Sequence, residues 1–226
     1  MSATLLPIAA LGGLVGMDVV SFPQAMWSRP IVAATLAGAL SGDARAGLLA
    51  GAALEMLAME TLPVGASRYP EWGSASVVGG AVAAGFPPMS AGDLVLGAIA
   101  ALGTAWLGGW SMYALRRMNG AWSLRARARL EGGNTRLVDA LQLRGLSADF
   151  LRGAVLTAGV LAIARPVVPA LAERIAASNW LLVFLLAALG AAVAASALGR
   201  LAPAVARVRW YAAIACAAAI AVAVSR

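Results

Sequence analysis

Four side chains able to bind a polar ligand, Asp18, Gln24, Arg29 and Glu55, interrupt segments that are otherwise almost wholly apolar. Carboxylate, amide and guanidinium groups supply acceptors and donors in fixed geometries, so Asp18, Gln24 and Arg29 together could bind several hydroxyl groups of one ligand. The alternative for the first three is ordinary loop polarity with an ion pair between Asp18 and Arg29. On spacing alone, that structural interpretation is preferred.

Glu55 is the most informative of the four, because residues 47–59 are otherwise apolar apart from small residues. A carboxylate at membrane depth costs at least ~2.5–3.5 kcal/mol, and such groups usually line a cavity or a substrate path. The alternative is a charge near the end of a short helix that reaches the membrane interface. We favour the functional interpretation of Glu55.

A turn rich in Gly and Pro follows Glu55 over residues 62–71. It could fold as a hairpin tip beside the carboxylate and expose backbone groups and Ser67. It could equally be an interfacial loop anchored by Tyr69 and Trp72, since aromatic rings of this kind prefer the membrane surface.

The chain has no His, no Lys and one cysteine, Cys216. It therefore has no His general base, no His metal ligand and no P-loop lysine. Cys216 lies in an apolar run and is interpreted as a small buried hydrophobic residue. We expect no catalytic group, no metal and no cofactor on this chain, so uphill transport would need an ion gradient or a partner.

The elements that position these residues are predicted from composition. Hydrophobic residues make up 62% of the chain and charged residues 12%, and the mean hydropathy is +0.84. A soluble domain is about 45–50% apolar and about 25% charged. We predict an all-α polytopic integral membrane protein with about 6–8 membrane segments. The basic residues lie between apolar blocks, so they indicate membrane orientation rather than nucleic-acid binding.

The two halves of the single predicted domain, residues 1–226, differ. About 20 apolar residues cross a bilayer as a helix, and candidate spans in the second half cover residues 94–115, 153–172, 180–199 and, shorter, 210–224. The apolar segments of the first half are short: 4–17, 30–41, 47–59 and 74–89. They are predicted to be re-entrant or broken helices that build the site, or else short tilted helices joined by turns.

We divide the chain into N-terminal segments (1–115), a basic loop (116–152) and C-terminal spans (153–226). In the loop, eight arginines against three acidic residues give a net charge of +5. The positive-inside rule then predicts a cytoplasmic loop, with residues 173–179 outside. An amphipathic stretch within the loop could lie on the membrane, receive a cytoplasmic partner, or simply connect two spans.

Taken in order, four linked motifs resemble the enzyme IIC component of the mannose/fructose/sorbose family of the bacterial phosphoenolpyruvate-dependent sugar phosphotransferase system. The motifs are Asp18-x5-Gln24-x4-Arg29-Pro30-Ile-Val-Ala, Gly42-Asp43-x3-Gly47, Gly51-x2-Leu54-Glu55-Met56 and Val64-Gly65-Ala66-x3-Pro70-Glu71. The resemblance is strong in the N-terminal half. The later segments match in layout more than in motif.

The resemblance implies a sugar permease subunit of the bacterial inner membrane that forms a hetero-oligomer. Members of this family pair with a IID membrane subunit. A IIB protein, which receives its phosphoryl group from IIA, phosphorylates a hexose-type sugar as it enters. The phosphohistidines belong to IIA and IIB, which agrees with a chain that lacks His. Phosphoenolpyruvate would then supply the energy through these partners.

By motif position, the resemblance implies seven sugar-binding residues: Asp18, Gln24, Arg29, Glu55, Gly65, Ala66 and Ser67. Two departures, Glu60 in place of a family Gly and Pro63 in place of an Asn, leave the sugar and active transport open. The alternatives are a divergent non-transporting or regulatory subunit of the same system, and an ion-coupled secondary sugar transporter that uses Glu55.

Overall fold

The computed structural model describes residues 5–59, 68–85, 90–176, 179–201, 210–211, 213–218 and 220. Over these residues the ordered elements are helical, and the element order is α1 (Leu5–Asp18), α2 (Pro30–Ser41), α3 (Ala44–Ala58), α4 (Trp72–Ala83), α5 (Ala91–Glu131), α6 (Thr135–Ala176) and α7 (Asn179–Leu201). The predicted all-α polytopic architecture is confirmed.

The N-terminal half is built from short helices, as its interrupted apolar segments predict. Helices α1 to α4 are 12 to 15 residues long, which at 1.5 Å per residue is about 18–22 Å. Each is shorter than the roughly 30 Å hydrocarbon core of a bilayer. The re-entrant placement of these helices in the membrane stays a prediction.

Helices α2 and α3 form a tight hairpin. Gly42 ends α2 in the left-handed conformation, with φ of 106°, which glycine adopts without a steric penalty. Asp43 then begins α3, and its side chain accepts a hydrogen bond of 3.0 Å from the backbone N–H of Ala46. Gly47 lets the two backbones approach, because a Cβ there would lie 2.3 Å from the carbonyl oxygen of Ala34.

Helix α4 is the centre of the bundle. Its residues from Gly73 to Ala83 are all buried, and it contacts α1, α2, α3, α5 and α6. It consists largely of glycine, alanine, serine and valine, and small residues of this kind allow helices in a membrane to pack closely. The Glu71 carboxylate caps it, accepting a 3.1 Å hydrogen bond from the backbone N–H of Ser74.

Helices α5 and α6 are long and apolar enough to cross a membrane, by length and composition. At 41 residues, α5 is about 60 Å long, which is twice the thickness of the hydrocarbon core. Residues 116–152, treated as a loop from their charge, are helical except near residues 132–134, where α5 ends and α6 begins. A run of charged residues shows where a helix leaves the lipid, but it does not end the helix, because Arg, Ala and Leu all favour helical structure.

We call residues 116–146 the α5–α6 extension. The predicted span at 180–199 lies within α7, and much of the span predicted at 210–224 lies outside the described residues.

Candidate functional site

Arg29 and Glu55 form an ion pair between Nη2 and Oε1. Arg29 directly precedes α2, and Glu55 lies in the last turn of α3. The other carboxylate oxygen of Glu55 accepts a hydrogen bond of 3.2 Å from the backbone N–H of Ile31. A negative charge at a helix N-terminus is favoured by the free N–H groups and the helix dipole, so the α2–α3 hairpin supplies two separate stabilising partners for this carboxylate.

The ion pair is open on one side. The Glu55 side chain is 15% exposed and the Arg29 side chain is 52% exposed. The guanidinium carries five N–H donors, and its pairing with Glu55 uses one of its terminal nitrogens, which leaves it able to donate to a ligand as well. The pair therefore offers carboxylate acceptors and guanidinium donors side by side.

Asp18 is buried and is hydrogen-bonded to the loop that follows it. Its carboxylate is 2% exposed and accepts hydrogen bonds from the backbone N–H of Ala25 at 2.7 Å, and from the backbone N–H and hydroxyl of Ser28 at 2.9 and 2.8 Å. The alternative of an ion pair between Asp18 and Arg29 is wrong, since Arg29 pairs with Glu55. Asp18 closes the loop between α1 and α2, which we call the 19–29 loop.

Gln24 lies at the exposed side of the 19–29 loop, where its Nε2 donates to the carbonyl of Val20 at 3.3 Å. Gln24 and Met26 have φ values of 59° and 64°, a left-handed conformation that is uncommon for residues other than glycine. Such backbone conformations persist where surrounding contacts hold them, and they cluster at functional sites. Here the contacts are those of Asp18.

Gly65, Ala66 and Ser67 lie outside the described residues, as do Glu60 and Pro63. The chain is described again from Arg68, whose guanidinium lies 4.1 Å from the ring centroid of Trp110 in α5. The hydroxyl of Tyr69 accepts a hydrogen bond of 2.6 Å from Arg116. The residues that follow the predicted hairpin tip are thus fastened to α5.

A buried charged cluster was missed by the sequence analysis, which counted Arg152 and Asp149 as loop charges. The side chains of Arg152, Asp149 and Glu71 are 8%, 2% and 1% exposed. Arg152 Nε donates to Asp149 at 2.9 Å, and its Nη1 lies 3.7 Å from Glu71 Oε2. The available signal was the position of Arg152, directly before the apolar run 153–172 and one helical turn after Asp149.

Residues of the α5–α6 extension line an open cleft of about 500 Å³. Trp122 lies in its wall, and the guanidinium of Arg144 stacks 3.7 Å from the centroid of that ring. Ser21 of the 19–29 loop also lines the cleft. Over the described residues, no three His, Cys, Asp or Glu side chains come together as a metal site.

Comparison with known proteins gives two matches. The family model described as the PTS system sorbose-specific IIC component matches residues 1–199. The fructose permease IIC component of Bacillus subtilis (strain 168) is 35% identical over 74 residues, which are 33% of this chain and 26% of the relative. The chain is thus aligned with about a quarter of that relative's length. No solved structure matches.

Proposed function

Because this chain belongs to the family of sorbose-specific IIC components of the phosphotransferase system, we propose that it is the IIC permease subunit of a mannose-family sugar transporter in the bacterial inner membrane. It forms the sugar path together with a IID membrane subunit. A IIB protein, phosphorylated through IIA, transfers its phosphoryl group to the hexose-type sugar at the cytoplasmic face.

The observation that carries this proposal is the Arg29–Glu55 pair. A sugar presents many hydroxyl groups, each of which donates and accepts hydrogen bonds. The carboxylate accepts from such hydroxyls, and the half-exposed guanidinium donates to them. Both residues come from the α2–α3 hairpin and its immediate start, so one rigid element holds both halves of the pair.

The other proposed sugar contacts would add to this pair. Gln24 would add an amide from the 19–29 loop, and Gly65, Ala66 and Ser67 would add backbone groups and a hydroxyl from the turn after α3. Asp18 would contribute through the loop that it closes, since its oxygens already accept three hydrogen bonds.

The α5–α6 extension is the proposed contact for IIB. It carries seven arginines and two acidic residues, Glu131 and Asp139, and a positive surface attracts a partner that carries a phosphoryl group. The exposed leucines and valines on the same extension, such as Leu124, Val138 and Leu143, would provide apolar contact.

Reconstituted uptake tests the proposal. The chain is purified with the IID-like protein of its own organism, placed in proteoliposomes, and given labelled D-fructose, L-sorbose or D-mannose, with and without phosphorylated IIB. We expect sugar phosphate to accumulate only with the phosphoryl donor. Uptake that needs no donor and follows a proton gradient would instead establish an ion-coupled transporter, and partner binding without any uptake would establish a regulatory subunit.

A further inference from the structure

We propose that Ser21, Asp149 and Arg152 act as positioning residues that hold the 19–29 loop, and with it Gln24 and Arg29, in the geometry that the sugar site needs. This inference rests on the proposed function. It assigns a role to a buried charged cluster whose residues belong to α6 and to the start of α4, and not to the α2–α3 hairpin that carries the Arg29–Glu55 pair.

The guanidinium of Arg152 joins four helices. It belongs to α6, where it pairs with Asp149. Its Nη1 donates to the hydroxyl of Ser111 in α5 at 3.2 Å and lies 3.7 Å from the carboxylate of Glu71 at the start of α4. Its Nη2 donates to the carbonyl of Gly16 in the last turn of α1 at 3.3 Å, and a cation is favoured at that end of a helix.

Asp149 links Arg152 to the 19–29 loop. One of its oxygens accepts from Arg152 at 2.9 Å, and the other accepts from the hydroxyl of Ser21 at 2.5 Å. The residues that make this last contact are 128 positions apart in the chain. Two carboxylates therefore fasten the same loop: Asp18 from within it, and Asp149 from α6.

The loop needs such fastening because its own geometry is unusual. Gln24 and Met26 have positive φ values, which are disfavoured for residues with a side chain unless surrounding contacts hold them. Loops are otherwise the mobile part of a fold. Without the Ser21 contact, Asp18 would be the one of these two carboxylates that still holds the loop leading to Arg29, and the guanidinium would occupy a wider range of positions.

A purely structural role for the cluster makes a different prediction. Arg152 and Asp149 join helices, so replacing either of them would disturb the whole bundle. Ser21 is exposed, and its hydroxyl meets the cluster at Asp149. Ser21→Ala would thus loosen the loop and leave the contacts of Arg152 with four helices in place.

The test compares three variants in the complex with its IID-like partner. Ser21→Ala removes the hydroxyl, Ser21→Thr restores one, and Ser147→Ala removes an exposed hydroxyl from α6 outside the proposed sugar and IIB contacts. The readouts are the KM and maximal rate of uptake of D-fructose, L-sorbose and D-mannose, and backbone hydrogen exchange over residues 19–29 and over α4.

We expect Ser21→Ala to raise the KM about tenfold, the effect of losing one hydrogen bond to a charged group. The maximal rate should stay within about twofold, as uniform loss of binding predicts. Exchange over 19–29 should quicken while that over α4 does not. Ser21→Thr should return the KM and the exchange towards wild type, and Ser147→Ala should change neither.

An unchanged KM in Ser21→Ala would overturn the inference, whether or not exchange quickens, because the loop would then be free to move without affecting the site. A wild-type complex that takes up none of the three sugars would contradict the proposed function instead. Exchange then decides the positioning role by itself: equal exchange in Ser21→Ala and wild type overturns it, and faster exchange that Ser21→Thr reverses supports it.

Discussion

At the scale of single residues, Glu55 shows how an ionised group is kept in a mostly apolar protein. A lone carboxylate in hydrocarbon is costly. Here it is paired with Arg29 and accepts a backbone hydrogen bond at the start of α2, so part of that cost is offset before a ligand arrives. The partly exposed guanidinium leaves the pair able to bind hydroxyl groups, which an enclosed ion pair could not do.

Glu55→Gln is expected to reduce sugar uptake at least tenfold. The amide keeps the acceptor for the Ile31 N–H and the shape of the side chain, but it loses the charge that orders Arg29. A hydrogen bond to a charged group contributes about 1.5–3 kcal/mol, and about 1.4 kcal/mol corresponds to a factor of ten. Initial uptake rates in proteoliposomes measure the effect, with binding of IIB recorded in parallel.

The matched control is Glu173→Gln. Glu173 is exposed in the last turn of α6, outside the proposed sugar site and the proposed IIB contact, and an exposed charge contributes only about 0–1 kcal/mol. Uptake should stay near wild type. Equal uptake in Glu55→Gln and wild type would remove Glu55 from the sugar site.

At the scale of elements, the N-terminal helices depend on close packing rather than on length. Helix α4 is buried almost throughout, and its glycines lie against neighbouring backbones. A Cβ at Gly80 would lie 2.3 Å from the carbonyl oxygen of Ala34 in α2. The α2–α3 hairpin, and therefore the Arg29–Glu55 pair, is held against the bundle by this contact.

Gly80→Ala is expected to destabilise the protein by about 1–3 kcal/mol, the usual cost of overfilling a packed interior. Helix α2 would have to move away from α4, so uptake should fall as well. Thermal unfolding in detergent, followed by tryptophan fluorescence, measures the change.

Gly103→Ala is the matched control in α5, because a Cβ at Gly103 would meet nothing within 4 Å. Alanine favours a helix over glycine by up to about 1 kcal/mol, so this variant should be as stable as wild type or more so. A Gly80→Ala protein that unfolds no earlier than Gly103→Ala would show that the α2–α4 contact can relax freely.

At the scale of the whole molecule, two long helices, α5 and α6, extend well beyond the short helices of the N-terminal half. Helices α5 and α6 are each about twice the length that a bilayer needs, and the α5–α6 extension at one end is strongly basic. We therefore expect a bilayer to cover only part of each helix, and the extension to project from the membrane on the side that the positive-inside rule predicts to be cytoplasmic.

Gly132→Cys, in a Cys216→Ser background, tests this orientation. Position 132 is exposed at the end of α5, so a membrane-impermeant maleimide should label it in inside-out vesicles and not in intact cells. Glu173→Cys, in the joint predicted to lie outside, should give the reverse. Labelling of position 132 in intact cells would contradict the predicted topology.

The sequence by itself determined that this protein faces lipid and that its fold is all-α. Composition decides whether a chain can face lipid, and the interruptions of its apolar runs mark helix ends, so the all-α membrane fold and helices such as α2 and α7 could be predicted closely. The ordered motifs around Gln24, Arg29 and Glu55 also indicated the family, because they place particular residue types in a fixed order and at fixed spacing.

Only the tertiary structure decided which charges meet. Arg29 pairs with Glu55 rather than with Asp18, and Asp149 and Arg152 are buried rather than part of a solvated loop. These outcomes depend on how α3 folds back on α2, and on how α6 packs against α1, α4 and α5. A periodic pattern specifies which face of a helix is apolar, but not which distant helix covers it, and a charge count cannot distinguish an exposed arginine from one that holds four helices together.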